Sequence, residues 1–120
     1  DPDGPAQGLF TEDFYRDCRR ALADGGLLVQ QSESPLYHLD IIAAMHDDLK
    51  AAGFGDVQPL FFPQTIYPSG WWSATMACAA TRMPAYRQID AGNVLDTRYY
   101  NAAIHAAALA QPEFVRQRLE

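Results

Sequence analysis

Apolar residues first recur at helical spacing over Phe14, Cys18 and Leu22, which predicts an amphipathic helix. Thr11 suits its N-cap, and Glu12 and Asp13 place carboxylates in the first turn, where the helix dipole favours them. Phe10 and Tyr15 stand at the spacing of a hydrophobic staple, and Gly25-Gly26 ends the helix. Leu27–Gln31 is a short apolar run directly after it, the pattern of a buried parallel strand. Ser34 before Pro35 predicts an N-cap followed by proline at the first helical position. The second helix then carries Ile42, Met45 and Leu49 on one side and closes at Gly53. A strand is expected from Val57 to Pro63 and another, antiparallel, from Trp71 to Ala79. Residues 80–96 read as irregular; Asn101 caps an alanine-rich helix to about Ala110, and Pro112 opens a last one bearing Phe114, Val115 and Leu119.

Between the last two strands lies Tyr67-Pro68-Ser69-Gly70, a tight reversal in which Pro68 sets φ and Gly70 is free to make it positive. A turn does not need the rings of Tyr67, Trp71 and Trp72. Either Tyr67 lines a pocket, or all three rings fill a core or a subunit contact. Strands alternating with helices predict an α/β sheet, here one edge of a doubly wound one. In such sheets ligands bind beyond the carboxyl ends of the strands. The loop at 1–10, the tip at Gln31–Ser34 and the Tyr67 turn could converge there.

At 120 residues the chain suffices for one small domain with a core. Nine basic against fifteen acidic residues, a net charge of −6, argue against nucleic acid and favour a cationic ligand. No apolar run approaches the ~20 residues of a membrane span. Cys18 and Cys78 read as buried thiols rather than a disulfide, and the arginines of the first helix as a solvated face. His38, His46 and His105 show no metal spacing, and nucleotide-loop, nucleophilic-serine and zinc motifs are missing. The chain opens on Asp1-Pro2-Asp3-Gly4-Pro5, a connecting type of loop with nothing before it, so a fragment of a longer chain is expected. Asp1, Asp3 and Glu33 are the acidic groups near the strand ends. Either Asp1 fixes a cationic amine while the Pro5-Ala6 backbone meets a flat base, or this is a solvated acidic turn.

Taken in order, Asp1-Pro2-x-Gly4-Pro5-Ala6-x-x-Leu9-Phe10, Phe14-Tyr15, Gln31-Ser32-Glu33-Ser34, Tyr67-Pro68-Ser69-Gly70, Thr97-Arg98-Tyr99-Tyr100-Asn101 with Ile104-His105, and Pro112-Glu113-Phe114 resemble the spermidine synthase, or polyamine aminopropyltransferase, family. The resemblance spans nearly the whole chain and implies the C-terminal half of a Rossmann-like, class I methyltransferase-like doubly wound sheet with an antiparallel hairpin strand. The N-terminal β-domain and nucleoside-binding half would be absent. It implies transfer of the aminopropyl group of decarboxylated S-adenosylmethionine to putrescine, giving spermidine and 5′-methylthioadenosine. No metal or cofactor is implied, since the nucleoside is a co-substrate. A cytoplasmic homodimer or homotetramer is implied.

By the same resemblance, Asp1, Gln31, Glu33 and Tyr67 would bind the amine substrate, and Pro5, Ala6 and Leu9 the nucleoside. The proton-accepting aspartate would lie three positions before Asp1, outside this sequence, so residues 1–120 alone are expected to be inactive. Trp71-Trp72 after the turn resembles some bacterial and archaeal members, and the Trp72 ring would narrow the acceptor pocket; Asp3 adds charge, and Gln111 before Pro112 alters packing. The alternatives are a paralogue using agmatine, cadaverine or spermidine, and a non-catalytic relative or binding fragment.

Overall fold

A computed structural model describes residues 4–85 and 96–120. After a single 3-10 turn at Gln7–Leu9, the order is α1 (Glu12–Ala21), β1 (Leu27–Gln31), α2 (Leu39–Ala51), β2 (Asp56–Pro63), β3 (Trp71–Cys78), α3 (Ala102–Leu109) and α4 (Glu113–Leu119). Local chemistry places several ends as expected. The Thr11 side chain accepts from Phe14 N–H and caps α1, and Asn101 Oδ1 accepts from Ile104 N–H at 2.9 Å and caps α3. Gly53 follows α2 with φ +95°. The second helix starts later than Ser34-Pro35 suggests. Residues 35–37 form a separate turn, closed by Tyr37 and His38 N–H on Ser34 O, and α2 begins only after His38.

The sheet order is β1-β3-β2, with both pairings antiparallel. The returning hairpin strand β3 is therefore inserted between β1 and β2, which run in the same direction without touching. This corrects the expected parallel strand at Leu27–Gln31: among the described residues its only ladder is antiparallel, with Leu28 opposite Ala77 and Gln31 opposite Ala74. Nor is it buried, since Leu27 and Val29 on its outer face are exposed.

Cross-strand partners share a face. Leu28, Ala77 and Val57 face α1 and α2, where Tyr15, Met45, Leu49, Ala52 and Phe54 close one apolar core. Gly55 lets the start of β2 pass the segment after β3, because a Cβ there would meet Ala80 O at 2.3 Å. Arg19, expected on a solvated face, instead reaches from α1 to Ala79 O at 3.1 Å and Gly53 O at 3.3 Å. Arg16 and Arg20 make exposed pairs with Glu12 and Asp17. Both cysteines are free, Cys78 buried and Cys18 partly so, as expected. No described helix is long and apolar enough to cross a membrane.

Candidate functional site

The C-terminal end of β1 and the β2–β3 turn are built against each other. Ser32 N–H donates to Ser73 O, and Ser73 N–H donates to Glu33 O, both at 3.0 Å, so the ladder runs past the end of β1. The Ser73 hydroxyl donates to Glu33 O at 2.8 Å. Glu33, whose carbonyl is held twice, lies in the left-handed region at φ +71°. The chain then swings so that Ser34 Oγ lies 2.7 Å from Ser69 Oγ in the opposite turn.

In that turn Gly70 N–H donates to Tyr67 O at 3.1 Å, closing a β-turn with Pro68 and Ser69 as its central residues. Gly70 has φ +67°, as the Pro-x-Gly pattern predicts, but Ser69 also has positive φ, +76°. Tyr67 is half-exposed and its ring lies over Trp72, with centroids 4.6 Å apart and planes at 30°. Trp72 is buried, and its indole N–H has no hydrogen-bond partner among the described residues. The three rings thus divide between the two open readings. Tyr67 presents a face to solvent, while Trp72 is its floor and Trp71 packs against Phe61 and Phe114.

Between the sheet and α2 lies a polar layer that sequence patterning did not single out. Thr75 Oγ1 lies 3.0 Å from Ser32 Oγ and 3.3 Å from His46 Nε2, and Ser32 Oγ lies 2.9 Å from Ser73 Oγ. All four residues are buried. Burial disfavours the imidazolium and Lys50 adds repulsion, so the His46 pKa falls to about 4. The available signal was the recurrence of Ser73 and Thr75 at period two on a strand face that also carries Gln30.

Gln31 is exposed at the tip of β1, on the same sheet face as Trp72. The Glu33 carboxylate is largely buried, 3.7 Å from His38 Nδ1, too long for a hydrogen bond. Gln31, Glu33 and Tyr67 are therefore brought to one end of the sheet. Pro5 and Leu9 are exposed and Ala6 half-buried. Their loop is tied to the same strand by Gln30 Nε2, which donates to Leu9 O at 3.1 Å. Beneath it the Tyr15 hydroxyl is buried; burial raises its pKa and the Asp48 carboxylate raises it further. The Gln30 amide offsets part of this, although the pair falls outside hydrogen-bond geometry. Asp1, the expected amine ligand, lies outside the described residues, as does Asp3.

A concavity of about 510 Å³ opens between α3 and β2, lined by Leu60, Phe62, Met76, Ile104 and Ala108 among others. It includes neither Gln31, Glu33 nor Tyr67. Among the described residues no group of three or more His, Cys, Asp or Glu could hold a metal ion.

Comparison with known proteins gives one answer. The spermine/spermidine synthase domain profile matches residues 1–86. A polyamine aminopropyltransferase of Thioalkalivibrio sulfidiphilus is 60% identical over 99% of this chain and 43% of its own length. One from Methylococcus capsulatus is 56% identical over 95% of this chain and 40% of its own. Among solved structures, a spermidine synthase in complex with the transition-state analogue AdoDATO superposes with a TM-score of 0.86 at 30% identity, covering 99% of this chain and 41% of that one. The Thermotoga maritima spermidine synthase gives 0.83 at 29% identity, again covering 41% of its length. The α/β fold is thus that of spermidine synthases. The chain spans about two fifths of the length of the curated relatives it matches. The expected placement as their C-terminal half is not supported by these comparisons.

Proposed function

We propose an activity from one premise: the chain belongs to the spermine/spermidine synthase family. The protein that carries it transfers the aminopropyl group of decarboxylated S-adenosylmethionine to a diamine, with putrescine the first candidate. Residues 1–120 form part of its catalytic domain and supply the acceptor side of the site. The supporting observation is the Ser34–Ser69 contact at 2.7 Å, which brings the segment bearing Gln31 and Glu33 to the turn bearing Tyr67.

The chemistry suits these groups. The acceptor nitrogen must lose a proton and attack the carbon beside the sulfonium; the C–S bond breaks and its electron pair stays on sulfur, giving neutral methylthioadenosine. Freeing an alkylamine of pKa ~10.4 at pH 7 costs about 5 kcal/mol, so a carboxylate that takes the proton during attack lowers the barrier. Sulfonium is already a good leaving group, which makes positioning the larger lever. Asp1 and Glu33 hold the ammonium groups, Gln31 and the Tyr67 hydroxyl aim the attacking nitrogen, and Pro5, Ala6 and Leu9 lie along the nucleoside. The net charge of −6 also raises the local concentration of a dication.

The test is product analysis with the whole protein, decarboxylated S-adenosylmethionine and each of putrescine, cadaverine, agmatine and spermidine. Spermidine formed from putrescine supports the reading; no aminopropylated product from any amine refutes it. Tyr67→Phe should lower acceptor kcat/KM by about tenfold, one hydrogen bond's worth, while the nucleoside KM stays within twofold. An unchanged acceptor efficiency removes Tyr67 from the site.

A further inference from the structure

Glu33 and Ser69 are the non-glycine residues with positive φ among those described, and they stand on opposite sides of a single hydrogen bond, Ser34 to Ser69. A Cβ disfavours that backbone region, and the third position of such a turn ordinarily takes glycine. Strain of this kind persists where surrounding contacts over-determine it.

The hydroxyls explain why serine stands there. Ser69 Oγ donates to Trp71 O at 2.9 Å and accepts from Trp71 N–H at 3.2 Å. With its one proton so used, it accepts from the Ser34 hydroxyl. Ser34 Oγ in turn accepts from Leu36 N–H at 3.3 Å. The result is a directional chain from Leu36 N–H through two hydroxyls to Trp71 O. It joins the tip of β1 to the strand that carries Trp72, the ring beneath Tyr67. Glycine at 69 would relieve the backbone and break this chain.

We propose that Ser69, through its hydrogen bond to Ser34, is a positioning residue that fixes the Tyr67 phenol relative to Gln31 and Glu33 and so sets the fit of the acceptor amine. This rests on the acceptor-site reading above. Ser69 acts through Tyr67 and makes no contact with substrate.

The experiment compares wild type, Ser69→Gly, Ser34→Ala and the double variant of the whole protein, in steady-state kinetics and in amide hydrogen exchange. Ser69→Gly permits the same positive-φ turn and deletes the hydroxymethyl group with its hydrogen bonds. It should lower acceptor kcat/KM about five- to tenfold with the nucleoside KM within twofold and the melting temperature equal or higher. The double variant should lose less than the sum of the two single losses, since both remove the same bond. Exchange of the Gly70 and Trp71 amides should quicken in Ser69→Gly. Acceptor kcat/KM within twofold of wild type, fully additive losses, or unchanged exchange at these amides would each overturn the proposal. If Ser34→Ala does not fold, Ser69→Gly decides alone. A wild-type protein that transfers nothing to any amine refutes the activity instead, and the exchange data then decide whether the bond holds the turn.

Discussion

Acid should destabilise this protein through His46. Its ring is buried between α2 and the sheet beside Thr75, and its pKa is about 4 in the folded state. In the unfolded chain an imidazole titrates near 6.5. The folded pKa is depressed and the group is a base. Above pH 6.5 both states are neutral and no penalty exists. As pH falls from 6.5 towards 4 the unfolded state takes up a proton that the folded state refuses, and stability drops. Below 4 both states are charged and the loss is complete. At about 1.4 kcal/mol per unit the full loss is about 3 kcal/mol, of which about 2 kcal/mol is already gone at pH 5. That is a large share of the 5–15 kcal/mol that holds a typical domain.

The assay is denaturant unfolding at pH 8, 7, 6 and 5 for wild type and for His46→Gln, which retains a donor and an acceptor for Thr75 but does not titrate. Other groups, including Asp48 with its burial-raised pKa, contribute equally to both proteins and cancel in the difference. Wild type should lose about 2 kcal/mol more than the variant between pH 8 and 5. Parallel curves would refute a neutral buried ring, and so would an NMR titration in which the His46 ring protonates near pH 6.

Two further expectations concern packing. Gly55→Ala should destabilise by about 1–3 kcal/mol, because its Cβ meets the Ala80 carbonyl backbone rather than a side chain that can move; thermal unfolding would show it, and a neutral result would mean that the 80–81 backbone yields freely. Leu49→Ala empties a fully buried position in the α1–α2–sheet core and should cost about 2–5 kcal/mol in denaturant unfolding, while Leu36→Ala, exposed, should cost under about 0.5 kcal/mol.

Much of the local structure was legible because it is set within a few residues of sequence. Thr11 and Asn101 cap the helices whose first turns they face, and Gly70 takes its positive φ two residues after Pro68. Of the candidate site, the residue identities were legible and their supports were not. Gln31, Glu33 and Tyr67 stand in motifs, but Ser69 looked like an ordinary turn residue. What distinguishes it is a contact 35 positions away in sequence. For His46 the sequence gives only the lack of metal spacing, because its burial depends on which face α2 turns to the sheet.

Sequence alone therefore determined the kinds of element, the caps of α1 and α3, the Tyr67–Gly70 turn, the acidic balance and the order of the family's motifs, since each depends on a residue and its near neighbours. Tertiary structure alone decided that β3 enters between β1 and β2, and that Leu27 and Val29 face outward. It also decided that two strained residues meet across the Ser34–Ser69 bond, and that His46 stays neutral. Strand pairing, burial and pKa all follow from which distant segments share the same space, and no window along the chain holds that information.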